Sequence, residues 1–216
     1  MVFMGSCTQP LDINTPRLRT EPVDVPDSSS LVRGERVSLV LAFDASGSMQ
    51  GYGIDAARAG GLRILEYFDG RQDEAMVVIF NQGVTIYQQM TTDTTRLRAA
   101  VSGLTANGQT ALWDAALLSV QMVVNNGVNP RRGVILFSDG DDNASSSGDG
   151  LDFISTAASN KVVMSAIAFG PEAPVAKLKR VSDGTGGRFE SAATAAEAEL
   201  AFARILRDLR IAAPGK

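Results

Sequence analysis

Apolar and polar positions along this chain alternate between two rhythms. "RVSLVLAFD" (36–44) is a near-continuous apolar run with β-branched residues, the pattern of a strand buried on both faces. "DEAMVVIFNQ" (73–82), "RGVILFSD" (132–139) and "KVVMSAIAFG" (161–170) repeat it, and "GGRFES" (186–191) suits a short edge strand. "VTIYQQM" (84–90) follows the second run after only "NQG", so those two are predicted to pair antiparallel as a hairpin. Between the runs the period lengthens. "GIDAARAGGLRILEYF" (53–68) sets Ile54, Ala57, Gly61, Leu65 and Phe68 at helical spacing. Gly60 and Gly61 weaken that helix by roughly 1 kcal/mol each and instead permit close approach of helix to sheet. Further helices are predicted over 92–104, 110–126, 150–159, 173–184 and 195–210. In the 110–126 helix, Leu112, Ala116, Ser119 and Val123 share a face, and in the last helix Ala198, Phe202, Ile205 and Leu209 form a stripe. Gly127 and Gly184 are expected just past helix ends, with Pro174 near a helix start.

Strands alternating with helices imply parallel pairing through right-handed crossovers. The predicted fold is α/β: a doubly wound, mostly parallel six-stranded sheet with one antiparallel edge strand and helices on both faces. Ligands of such sheets bind where the strands end at their carboxyl edge. The domain is expected over 36–210, preceded by a Pro/Ser-rich linker within 1–35 and followed by a tail at 211–216. Four of the eight prolines fall by Pro26, so little regular structure is expected in the linker.

Composition narrows the chemistry. With 216 residues and 44% hydrophobic content the chain can bury a substantial core. No apolar run approaches the roughly 20 residues of a membrane helix. A net charge of −4 with no basic tract argues against nucleic acid; "KLKR" (177–180) reads as a solvated helix face. The chain has no histidine, which removes the commonest general base and excludes Ser-His-Asp and Cys-His catalysis within it. Its single cysteine, Cys7, excludes an internal disulfide and a zinc site built on several thiolates. Cys7 admits two readings: a stray thiol in the N-terminal segment, or the acylated cysteine of a lipobox-like "FMGSC", although no full apolar leader precedes it.

Three loops at the carboxyl edge carry oxygen donors. "DASGS" supplies Asp44, Ser46 and Ser48, expected to point to one side at spacings of two. "NGQTALWD" supplies Thr110 at the mouth of a helix, where the alternative is an ordinary N-cap. "ILFSDGDDN" supplies Asp139, ending a strand as Asp44 does. Carboxylates and hydroxyls suit a hard cation, Mg²⁺ or Mn²⁺ before zinc, with Ca²⁺ also compatible. Two carboxylates nearly neutralise a dication and leave it electrophilic towards an outside carboxylate. Gly47 is expected to let the first loop turn tightly. "DGDDNASSSGDG" places Asp139, Asp141 and Asn143 at odd positions but lacks the glycine and glutamate of an EF-hand, so it reads as a mobile polar rim.

"DASGSM", "GQTALWDA" and "LFSDGDDN" together resemble the three signatures of the von Willebrand factor A (VWA) domain, in wording closest to bacterial members. The resemblance covers about 36–210. It implies a Rossmann-like fold and a metal-ion-dependent adhesion site (MIDAS) made of Asp44, Ser46, Ser48, Thr110 and Asp139, whose last coordination position goes to water or to a partner's acidic side chain. The expected function is metal-dependent capture of a protein ligand through an Asp or Glu carboxylate, without catalysis. Two other readings stay open: a structural or regulatory subunit of a larger, ATPase-associated assembly, and a metal-dependent hydrolase with Asp141 or Asp142 as base. A bacterial cell envelope or extracellular location is favoured over the cytoplasm, with a lipid anchor if Cys7 is acylated.

Overall fold

A computed structural model describes residues 34–147 and 152–211. The Cys7 reading and the linker's expected irregularity therefore lie outside the described residues. The elements run β1 (Val37–Asp44), a 3₁₀ turn (Gly47–Met49), α1 (Tyr52–Leu65), β2 (Glu74–Phe80), β3 (Val84–Thr91), α2 (Thr94–Ser102), α3 (Leu112–Asn126), β4 (Arg131–Ser138), α4 (Asp152–Ser159), β5 (Val162–Phe169), α5 (Val175–Thr185), β6 (Phe189–Ala192) and α6 (Ala195–Ile211).

The sheet order is β3-β2-β1-β4-β5-β6. Every pairing is parallel except β2 with β3, which is antiparallel. That is the predicted six-stranded doubly wound sheet with one antiparallel edge. β1 is buried at all positions, and its alternate residues feed two cores. Leu39, Leu41 and Phe43 face α1, α2 and α6, whereas Val40 and Ala42 face α3, α4 and α5. Continuous apolar strands and three layers are thus one fact: both faces of the sheet are covered by helices. β3, at the edge, instead alternates between half-buried and exposed residues.

The glycines of α1 act by close approach. A Cβ on Gly61 would stand 2.7 Å from Phe43 Cζ in β1, and one on Gly60 would collide with the Phe202 ring in α6. The expected helix–sheet contact therefore holds for Gly61, while Gly60 serves a helix–helix contact. Gly127 directly follows α3 as expected, whereas Gly184 does not end α5. Gly127 has an extended backbone (φ −76°) rather than a left-handed one; a Cβ there would meet Val123 O at 2.6 Å, so close approach is the reason for glycine. Gly184 lies inside α5, its missing Cβ making room for Ile154 of α4. The left-handed cap is Gly186, at φ 71°.

The chain steps from β1 to β2 on one side, and returns to β4 on the other. The switch in direction lies between β1 and β4, the place where sheets of this kind bind ligands at the carboxyl ends of their strands. The register pairs Phe43 with Phe137, so Asp44 and Ser138 end their strands side by side.

Candidate functional site

Asp44 is the last residue of β1 and is fully buried. Its Oδ1 accepts a hydrogen bond from Ser46 N at 2.8 Å, and its Oδ2 accepts one from Ser138 Oγ at 2.5 Å. No arginine or lysine of the described residues pairs with it. Burial pushes its carboxyl from the ordinary 3.8 up to about 6, against the Ser138 and Ser46 hydrogen bonds that lower it, and the Asp139 charge raises it further.

Ser46 is extended (φ −70°, ψ 168°), and the chain then tightens into the 3₁₀ turn Gly47–Met49. Ser48 therefore reaches the site from a turn, not from the extended loop expected. The two hydroxyls still meet, Ser46 Oγ lying 3.0 Å from Ser48 Oγ. Ser48 Oγ donates to Asp139 Oδ1 at 2.8 Å. Asp139 stands one residue beyond β4, whose last residue is Ser138. It is half-buried, and burial raises its carboxyl above the usual range, opposed by the Ser48 hydrogen bond.

Thr110 comes from the loop before α3. The helix starts at Leu112 with Ala111 as its cap residue, so Thr110 is not the N-cap. A Cβ built on Gly140 would lie 3.9 Å from both Ser48 Oγ and Thr110 Oγ1; the two hydroxyls flank that glycine. The Thr110 loop is tied to the first loop by Gly47 N donating to Gly108 O at 2.9 Å and Asn107 N to Ala45 O at 2.8 Å. Gly47 is thus placed by close passage of the two loops: a Cβ on it would stand 3.3 Å from Gly108 O. Asp44, Ser46, Ser48 and Asp139 form one hydrogen-bonded chain, and Thr110 stands alongside it.

Residues 141–147 are anchored rather than a mobile rim. Asn143 Oδ1 accepts from Thr110 N at 2.8 Å. Ser145 Oγ accepts from Trp113 N and Asp114 N, both at 3.0 Å, capping α3 from another loop. Burial pushes the Asp114 carboxyl up, but the hydrogen bonds from Ser147 and Ser146 outweigh it and hold it below the usual range. Asp141 pairs with Lys177 of α5 at 2.8 Å, which lowers its carboxyl. Asp142 accepts from Ser145 Oγ at 2.5 Å. Asp139, Asp141 and Asn143 therefore face three different partners and do not converge as a calcium loop would.

Ser138, Asn143 and Ser145 were missed from sequence. Ser138 was within reach, because strands of equal length ending at one edge put the residue before Asp139 beside Asp44. Asn143 and Ser145 had no comparable signal; their partners lie about thirty residues away and are met only in the folded loops.

Among the described residues no three carboxylate, imidazole or thiolate side chains gather into a metal-holding cluster. The donor set consists of two carboxylates with hydroxyls. A buried acid without a cationic partner, facing a second acid across two hydroxyls, fits a hard divalent ion.

This is an α/β domain with an acidic, hydroxyl-lined site at its topological switch point. Residues 39–141 match the family described as the von Willebrand factor type A domain. Among solved structures, a von Willebrand factor type A protein from Catenulispora acidiphila is 20% identical with a TM-score of 0.71, covering 82% of this chain and 43% of its own. This chain thus spans less than half of that relative's length. Proximal thread matrix protein 1 from the mussel byssus, with a zinc-occupied MIDAS motif, is 19% identical (TM-score 0.68; 81% and 46% covered). The von Willebrand factor domain of the type V pili tip protein Mfa5 from Porphyromonas gingivalis is 14% identical (TM-score 0.65; 83% and 96% covered). At these identities the likeness is one of fold. The family match covers just under half of this chain, and the structural likeness extends the shared fold to about four fifths of it. Comparison with curated proteins finds no match.

Proposed function

We propose that this chain is a metal-dependent protein-binding module, with Asp44, Ser46, Ser48, Thr110 and Asp139 holding one Mg²⁺ (or Mn²⁺, with Ca²⁺ also compatible). The observation that carries the reading is Asp44: fully buried, without a cationic partner among the described residues, and linked through Ser46 and Ser48 to a second carboxylate. The bound ion supplies a Lewis-acidic position for an Asp or Glu carboxylate of a protein partner. Two protein carboxylates balance a dication, so an incoming carboxylate meets no net repulsion. The named functions of the fold relatives, a pilus tip protein and a byssal matrix protein, support interaction with other proteins.

The domain binds rather than catalyses. The chain has no histidine, and the two candidate bases are engaged elsewhere, Asp141 with Lys177 and Asp142 with Ser145. The favoured location is the cell envelope or its exterior, with Cys7 as the acylated anchor at the end of the Pro/Ser-rich tether. Mass spectrometry of the membrane-extracted native protein should find Cys7 diacylated; an unmodified thiol would remove the anchor.

Mn²⁺ binding followed by water-proton relaxation tests the centre directly. One ion per chain is expected, displaced by Mg²⁺ and lost in Asp44→Ala. A protein captured from native extract in Mg²⁺ should be released by chelator and not captured by Thr110→Ala. Ion binding with equal capture in Mg²⁺ and chelator would make the ion structural and end the adhesion reading.

A further inference from the structure

Beside Ser48 and Asp139, a cavity of about 310 Å³ opens between the end of β1 and the end of β5. That is the low end of the ~300–1,000 Å³ of small-molecule pockets, room for one large side chain rather than a whole cofactor. One wall is aromatic. Phe169, the last residue of β5, is 5% exposed, and its ring lies 5.8 Å from that of Tyr52, which is 56% exposed. Phe169 also packs on Phe137 at 5.4 Å, and Phe137 on Phe43 and Phe202. The wall is thus the outer end of a rigid core stack. Its floor is Gly170, with φ +77° and nothing within 4 Å of where a Cβ would be. On the rim stands Glu172, exposed and without an ion pair or hydrogen bond among the described residues. No lysine or arginine lines the cavity.

We propose that this cavity is a second subsite, which takes the Lys or Arg side chain of the same partner segment whose carboxylate meets the metal. The proposal rests on the metal-dependent reading above. A long basic side chain matches each feature. Its methylene stem covers the Tyr52–Phe169 wall, its cation lies against the Tyr52 ring face, and its N–H groups reach the Glu172 carboxylate. Alternative occupants match less well. An acidic side chain meets Glu172 and Asp139 with like charge. An aliphatic or aromatic one fills the wall but takes water from Glu172 without replacing its hydrogen bonds. The partner's recognition segment therefore carries an acid and a base close together, and the base provides selectivity that a metal-bound carboxylate alone lacks.

Two probes test this. N-acetyl-arginine amide, titrated in chelator into ¹⁵N-labelled protein, should shift the Tyr52, Gly170 and Glu172 amides, and should do so far less in Glu172→Gln. N-acetyl-norleucine amide should leave them in place. Equal shifts with norleucine, or none with arginine, would overturn the subsite. In Mg²⁺, a short Asp peptide with a neighbouring Arg should bind about fivefold to tenfold tighter than its norleucine counterpart, and in Glu172→Gln or Tyr52→Ala that ratio should fall towards one. Peptides that bind only with Mg²⁺ yet show no preference for Arg overturn the subsite and leave the metal reading standing. Arginine-specific shifts with peptide binding indifferent to chelator do the reverse: they support the subsite and overturn the metal reading.

Discussion

At the scale of the residue, Asp44 sets a conflict that an ion would resolve. In the folded domain its carboxyl holds a proton up to about pH 6, against 3.8 for an ordinary aspartate, because burial disfavours the charge. The folded chain therefore binds the proton more tightly than the unfolded chain does. The stability from that proton is fully present below about pH 4 and is lost as pH rises through about 6. The difference amounts to about 3 kcal/mol. Asp44→Asn keeps the acceptor for Ser46 N and, with its amide turned to Ser138, removes the buried charge. In chelator, urea melts at pH 5 and pH 7.5 should show wild type losing stability relative to Asp44→Asn as pH rises, so the variant is the more stable of the two at pH 7.5. Parallel pH dependences would show that Asp44 does not titrate in this window. The same substitution should abolish stabilisation by Mg²⁺, which competes with the proton for one carboxylate.

At the scale of the element, burial explains what the sequence revealed and what it hid. β1, β2, β4 and β5 were legible because strands buried on both faces are apolar throughout, and four of the five candidate donors, Asp44, Ser46, Ser48 and Asp139, were legible because they stand at or just past the ends of two of those strands. The turn that delivers Ser48, the true start of α3 and the cap on its N-terminus were not. They depend on contacts between loops distant in sequence, such as Asn143 to Thr110, 33 residues apart. Asn143→Ala should leave Thr110 N without its acceptor, lower stability by about 1 kcal/mol and weaken Mn²⁺ binding, since it loosens Thr110 while sparing both carboxylates. Unchanged Mn²⁺ affinity would mean that the loop holds α3 only. Helix packing gives a second test. Gly61→Ala gains roughly 1 kcal/mol of helix propensity, but its Cβ meets Phe43 Cζ at 2.7 Å and Val101 Cγ1 at 2.9 Å. Phe43 lies in the aromatic stack and Val101 is fully buried, so neither has open space to retreat into. Overpacking of ~1–3 kcal/mol should win, and thermal melts should show a net loss.

At the scale of the whole molecule, the two ends of the sheet each bury an acid but treat it in opposite ways. The carboxyl edge leaves its buried acid without a cation among the described residues. At the other edge, Asp73, fully buried before β2, pairs with Arg210 near the end of α6, Oδ2 to Nη2 at 2.6 Å and Oδ1 to Nη1 at 3.4 Å. Asp73 also accepts from Val37 N at 3.1 Å and Asp69 N at 2.8 Å, while Arg210 donates to Tyr67 O at 3.1 Å. One ion pair thus gathers β1, the α1–β2 connection and the last helix. Breaking such a pair from one side leaves a buried charge uncompensated and costs about 3–5 kcal/mol. Arg210→Met should lose about that much in urea melts, and adding Asp73→Asn should recover part of it, because the orphaned charge goes while the acceptors for Val37 N and Asp69 N remain in part. Since the two edges share no polar contact among the described residues, the stabilisation added by Mg²⁺ should be the same in Arg210→Met as in wild type, following the logarithm of ion concentration over dissociation constant. A smaller increment in the variant would mean that the last helix and the metal loops are energetically coupled across the sheet.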